Sequence, residues 1–132
     1  RELAKRLAKE LRRGDVLLLW GDLGAGKTVF TKGIAKGLGI TEEVTSPTFA
    51  LLNVYDGGRL KLYHYDCYRL SSGQEAEERG LTEFFGDKDG VCVIEWPQVI
   101  SDVLPPDVIE AEILYSGEGK REIKINDKQT KS

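Results

Sequence analysis

Eight consecutive residues, Gly21-Asp22-Leu23-Gly24-Ala25-Gly26-Lys27-Thr28, carry the spacing GxxxxGK[ST], directly after the apolar run Val16 to Trp20. A triphosphate is a dense anion that needs many donors and a backbone able to approach without Cβ atoms in the way. Gly21, Gly24 and Gly26 supply that freedom, and Asp22, Leu23, Ala25 and Val29 complete the same cradle. Lys27 is expected to reach the β and γ phosphates as a point charge, and Thr28 to place its hydroxyl on Mg²⁺. A helix starting here would aim its unpaired N–H groups at the anion. The spacing predicts nucleotide binding; hydrolysis needs more than the loop.

What hydrolysis adds is carboxylates at the ends of strands beside the loop, to hold Mg²⁺ or its waters and to orient the attacking water. Two residues have that placement. Glu95 follows the apolar run Val91-Cys92-Val93-Ile94, and Asp66 closes Leu62-Tyr63-His64-Tyr65. Taken singly, each is equally well read as a solvated carboxylate or a helix cap. His64 is the only histidine, and a packed or hydrogen-bonded ring between two tyrosines is favoured over a general base. It stays outside the catalytic set. Arg69 is open between phosphate neutralisation and pairing with a carboxylate, and Trp96 reads as core.

Elements to position these groups are legible along the chain. Leu3, Ala4, Leu7, Ala8 and Leu11 recur at helical spacing and Gly14-Asp15 ends that helix, turning the chain into the strand before the loop. Thr28 to Leu38 repeats the helical pattern with Gly39 as a left-handed cap. Ala50 to Tyr55 and Leu60 to Tyr65 flank Asp56-Gly57-Gly58 and predict an antiparallel hairpin. Gln74 to Phe85 is helix-forming with a break at Gly80, and Val91 to Ile94 has the continuous apolar character of a central strand. Beyond Pro105-Pro106, Val108 to Leu114 and Glu122 to Ile125 read as two more strands around Ser116 to Gly119. The fold class is α/β: a P-loop NTPase-like three-layer fold with a central mixed sheet flanked by helices, in a single domain over residues 1–132.

Composition narrows the functions. At 132 residues and 40% hydrophobic content there is room for one modest core, and none for a separate large substrate domain. With a net charge of −3 and basic residues scattered along the sequence, tight RNA binding by this chain alone is disfavoured. Cys67 and Cys92 lack neighbouring ligands or a CxxC spacing, so reduced thiols are expected. No run is long enough for a membrane span and the first residues do not form a signal sequence, which predicts a cytoplasmic protein without membrane contact. A guanine-reading NKxD is absent, against a GTPase. A small-molecule kinase is the enzymatic alternative, although no Arg-bearing lid is recognisable. A nucleotide-gated binding module with little turnover is the third reading.

GDLGAGKT at Gly21 to Thr28, SPTF at Ser46 to Phe49, HYDCYR at His64 to Arg69 and EWP at Glu95 to Pro97, in this order and over most of the chain, resemble the bacterial TsaE (YjeE) family. The resemblance implies an ATPase required for threonylcarbamoyladenosine at position 37 of tRNAs that read codons starting with A. Its implied partners are TsaB and TsaD, with tRNA met only through the complex. The implied cofactors are ATP and Mg²⁺. By position, Lys27 and Thr28 would hold phosphate and Mg²⁺, and Glu95 would serve the metal. Asp66 would support the metal or the attacking water, and Thr48 would sit on a loop that responds to the γ phosphate. In that family a segment near the N-terminus helps to hold the adenine, and this sequence starts at Arg1, close to where it would lie. The family usually has Phe and Leu where Tyr65 and Cys67 stand here.

Overall fold

The computed structural model describes residues 2–21, 27–42, 51–117 and 120–127. Helix α1 (Glu2–Glu10) leads into strand β1 (Val16–Trp20), which feeds helix α2 (Lys27–Gly37). Strands β2 (Leu52–Tyr55) and β3 (Lys61–Asp66) form the expected hairpin, pairing antiparallel. Helix α3 (Gly73–Glu78) and a 3-10 turn (Leu81–Phe84) follow, separated at Gly80, whose φ of 77° supplies the left-handed break. Strand β4 (Gly90–Glu95), a 3-10 segment (Pro97–Val103) and strands β5 (Ile109–Gly117) and β6 (Lys120–Asp127) complete the chain. The segment 97–103 has no counterpart in the sequence reading. Its Pro97 start and the non-helical Ile100 leave no sustained helical period to detect.

The six strands are ordered β2-β3-β4-β1-β5-β6. Four neighbouring strands, β3, β4, β1 and β5, run parallel, and each edge strand is antiparallel to its neighbour. The sheet is therefore mixed, with β4 and β1 at its centre. All six residues of β4 are buried, as a strand covered on both faces requires.

Alternation along the strands divides the core in two. Leu17, Leu19, Leu62, Val91 and Val93 face α1 and α2 together with Leu7, Phe30 and Ile34. Val16, Leu18, Tyr65, Cys92 and Ile94 face the other way, beneath α3 and the two 3-10 segments. This is the helix–sheet–helix arrangement expected of the sequence. The Arg59 guanidinium joins the hairpin to the helical layer, donating to Ala8 O at 2.5 Å and Leu11 O at 3.0 Å at the end of α1.

The two helices of the first layer touch at Gly37, where a Cβ would lie 2.5 Å from Ala8 Cβ and 3.0 Å from Lys5 O. Replacing a helical Gly by Ala gains about 1 kcal/mol of propensity, but overpacking of this kind costs about 1–3 kcal/mol. The clash is with a methyl and a backbone carbonyl, neither of which can swing away. Gly37→Ala is therefore expected to destabilise the chain by a net of up to about 2 kcal/mol, read as a lower urea midpoint. A midpoint at or above that of the unaltered chain would show that the helices separate without cost.

Candidate functional site

Three sequence-predicted residues meet at one edge of the sheet. Strands β1, β4 and β3 are parallel neighbours, and their registers align Leu19 with Glu95 and Glu95 with Asp66. The carboxyl end of each strand thus opens on the edge where β1 turns into α2, the crevice in which open α/β sheets bind ligands. Glu95 continues the phase of Val91 and Val93, and His64 and Asp66 continue that of Leu62. All three side chains therefore emerge on the face that α2 covers, with Lys27 at the helix start.

Lys27 is buried, 5% exposed. Its Nζ donates to Gly21 O at 3.3 Å and lies 4.2 Å from the centroid of the Trp96 ring. Carbonyl and π face both offer negative potential to an ammonium withdrawn from water. Trp96, read as core from the sequence, has this second role because its backbone is left-handed (φ 59°, ψ 50°). The exposed Tyr68 ring packs on it at 4.9 Å. Thr31 Oγ1 donates to Lys27 O at 2.9 Å and secures the first turn of α2. Val29, on the same turn, is exposed.

Glu95 is also 5% exposed, and its Oε2 meets His64 Nε2 at 2.6 Å; His64 is entirely buried. With the imidazole proton on Nε2, a charge-assisted hydrogen bond holds the carboxylate in one rotamer. His64 Nδ1 has no partner among the described residues. His64, set aside in the sequence reading as a packed or hydrogen-bonded ring, is both, and its bond goes to a site residue. The available signal was its spacing of two from Asp66, which puts both on one face. Asp66 is half-buried, and its Oδ1 accepts from Tyr68 N at 3.0 Å.

Asp22, Leu23, Gly24, Ala25 and Gly26, the Thr28 side chain and Thr48 with the rest of Ser46 to Phe49 lie outside the described residues. Arg69 is exposed and makes no ion pair among the described residues. The donor set fits Mg²⁺ chemistry: two carboxylates, Glu95 and Asp66, stand in adjacent register. Magnesium is usually held by one or two carboxylates plus substrate phosphates and water.

Cys67 and Cys92 are free and buried beneath the opposite face. Burial, first among the causes, pushes both thiols up to about 12 from an ordinary 9.0. Both should resist a disulfide-exchange reagent at pH 8 until the chain is unfolded; rapid labelling of the folded protein would contradict their burial. Because the folded values are raised, this contribution to stability is complete below about pH 9 and is lost as pH rises toward about 12. Urea midpoints should fall over that alkaline window, less so in Cys67→Ala.

Residues 1–123 match the family model described as threonylcarbamoyl adenosine biosynthesis protein TsaE. The tRNA threonylcarbamoyladenosine biosynthesis protein TsaE of Bacillus subtilis is 49% identical over 121 residues, 92% of this chain and 75% of that protein. The protein of the same name from Treponema pallidum is 48% identical over 116 residues, 87% of this chain and 84% of its own length. The crystal structure of Bacillus subtilis YdiB superposes with a TM-score of 0.81 at 43% identity, covering 96% of this chain and 76% of that one. On sequence and fold together, the chain belongs to the TsaE family of threonylcarbamoyl adenosine biosynthesis proteins.

Proposed function

We propose that this chain binds and hydrolyses ATP with Mg²⁺, as a subunit required for threonylcarbamoyladenosine at position 37 of tRNAs that read codons starting with A. It acts with TsaB and TsaD, TsaD performing the carbamoyl transfer and this chain resetting the complex. The observation that carries the reading is the convergence of buried Lys27, buried Glu95 and half-buried Asp66 at the carboxyl edge of three adjacent parallel strands.

The roles follow from charge and position. Lys27 faces the phosphates as a compact cation, and the N-terminus of α2 adds its dipole. Mg²⁺, when bound, would neutralise charge developing on the transferred phosphoryl oxygens. Glu95, its rotamer set by His64, and Asp66 hold the metal's waters or the attacking water. Thr48 responds to the γ phosphate. TsaE relatives carry tRNA threonylcarbamoyladenosine biosynthesis in their names, which supports placing the turnover in that pathway.

The test is ATP and GTP hydrolysis by the chain alone and with TsaB and TsaD added, Lys27→Ala serving as the blank. Partner-stimulated, ATP-selective turnover supports the role. Phosphoryl transfer to a small acceptor without stimulation would make the chain a kinase. Asp66→Ala is expected to bind ATP within about threefold of the unaltered chain and to lose about 10- to 100-fold in turnover. Undiminished turnover would remove Asp66 from the mechanism. If that variant, still docked on TsaB and TsaD, supports full tRNA modification without turnover, the chain is a nucleotide-gated module instead.

A further inference from the structure

Trp96 holds a backbone conformation that its residue type disfavours. At φ 59° and ψ 50° it is the only non-glycine residue with positive φ among the described residues. That conformation is costly for a bulky side chain. Pro97 adds to the cost, since the residue before a proline prefers extended backbone. Continued as a strand, β4 would turn Trp96 away from the face on which Glu95 emerges. The left-handed residue breaks that alternation. The indole still packs partly on the second core cluster, but it also reaches the start of α2, where Lys27 Nζ lies 4.2 Å from its centroid.

Strain of this kind persists where the surroundings over-determine it, and it clusters at functional sites. Two contacts of the indole bear on what it does here. Lys27 is buried, and an ammonium withdrawn from water needs negative potential close by. The face of an indole supplies it better than any other aromatic side chain. A π face takes the charge without accepting a hydrogen bond of fixed direction, so Nζ can rest on the ring and still donate to a phosphate. The second contact is the exposed Tyr68 ring, which packs on the indole at 4.9 Å. Tyr68 N donates to Asp66 Oδ1, so the residue that backs the indole is fastened to the carboxylate edge of the site.

We propose that Trp96 is a positioning residue for nucleotide binding: its ring holds the Lys27 ammonium at the phosphate edge and acts through Lys27, without touching the nucleotide. The consequence for affinity rests on the ATP-binding reading above. The contact itself is measurable with no nucleotide present, so the two fail separately.

Lysine-selective isotope labelling tests the contact by NMR on the nucleotide-free chain. The Lys27 ε-methylene protons, assigned by their loss in Lys27→Ala, should lie upfield of those of the exposed lysines through the ring current of the indole, and should rejoin them in Trp96→Leu. Leucine and phenylalanine meet the same left-handed strain, so Trp96→Leu and Trp96→Phe differ chiefly in whether a π face remains. Their urea midpoints should lie close together, which separates binding from folding. Titration with ATP and Mg²⁺ then reads the consequence. Trp96→Leu should bind about 10- to 30-fold more weakly, the range of a desolvated cation–π contact, and Trp96→Phe within about threefold of the unaltered chain. In a Lys27→Ala background Trp96→Leu should cost no further affinity, whereas an indole that touched the nucleotide would cost as much in either background. An unshifted Lys27 resonance, equal affinities for the leucine and phenylalanine variants, or additive losses with Lys27→Ala each overturn the proposal. If the resonance shifts as expected but the unaltered chain binds no ATP, the ATP reading is what has failed, and the contact is reduced to packing.

Discussion

Lys27→Ala is expected to weaken ATP binding by about 30- to 1000-fold and to bring turnover to background. The range corresponds to about 2–4 kcal/mol, the loss of one or two charge-assisted hydrogen bonds to phosphate. The side chain is already withdrawn from water, beside Gly21 O and the Trp96 ring, so much of its desolvation is met in the folded chain rather than at binding. Stability should move much less than affinity. Deleting the stem leaves a small cavity, but it also relieves the cost of a buried ammonium, and the two terms oppose each other. Lys27→Arg should not rescue binding, because a planar fork cannot take the place of a compact cation in a buried site. Isothermal titration with ATP and Mg²⁺ decides the matter. An affinity for Lys27→Ala within about threefold of the unaltered chain would detach this residue from the phosphates and, with it, the reading of the loop.

How far the site was legible in the sequence follows the range of the interactions. The loop spacing, the hairpin around Asp56-Gly57-Gly58 and the apolar run before Glu95 are local signals, and β1, α2, the β2–β3 hairpin and β4 lie where those signals put them. The alternation of Leu17 and Leu19 against Val16 and Leu18 could not reveal that the two sets pack under different helical layers. That depends on strand order, which places β4 between β3 and β1 although β4 is the fourth strand in sequence. The same order makes neighbours of Asp66 and Glu95, and it brings His64 to a carboxylate 31 positions away. Trp96, read as core, does pack partly buried on the second cluster, but its place beside Lys27 was not legible, because a left-handed backbone, unusual for a bulky residue, has no signature in residue type.

The His64–Glu95 pair separates catalysis from stability. Glu95→Gln keeps the volume and an acceptor for His64 Nε2–H but removes the charge, so the fold should persist while turnover falls by about 100- to 1000-fold. His64→Ala acts in the opposite order. It leaves Glu95, 5% exposed, as a buried carboxylate without its 2.6 Å donor, and stranding a buried acceptor in this way costs about 1–3 kcal/mol. Turnover should fall as well, because nothing then fixes the Glu95 rotamer. Combining the two changes distinguishes an unpaired charge from a mere cavity. If the cost of His64→Ala is chiefly the orphaned carboxylate, the double variant His64→Ala with Glu95→Gln is more stable than His64→Ala alone, by about 1–3 kcal/mol of coupling. If the cost is only the space left by the imidazole, the effects add and the double variant gains nothing. Urea unfolding of the four proteins, with ATP turnover measured on the same preparations, closes the cycle. Additive stabilities would reduce His64 to a filler of the core, whereas strong coupling with turnover lost in both single variants makes it the residue that holds Glu95 in place.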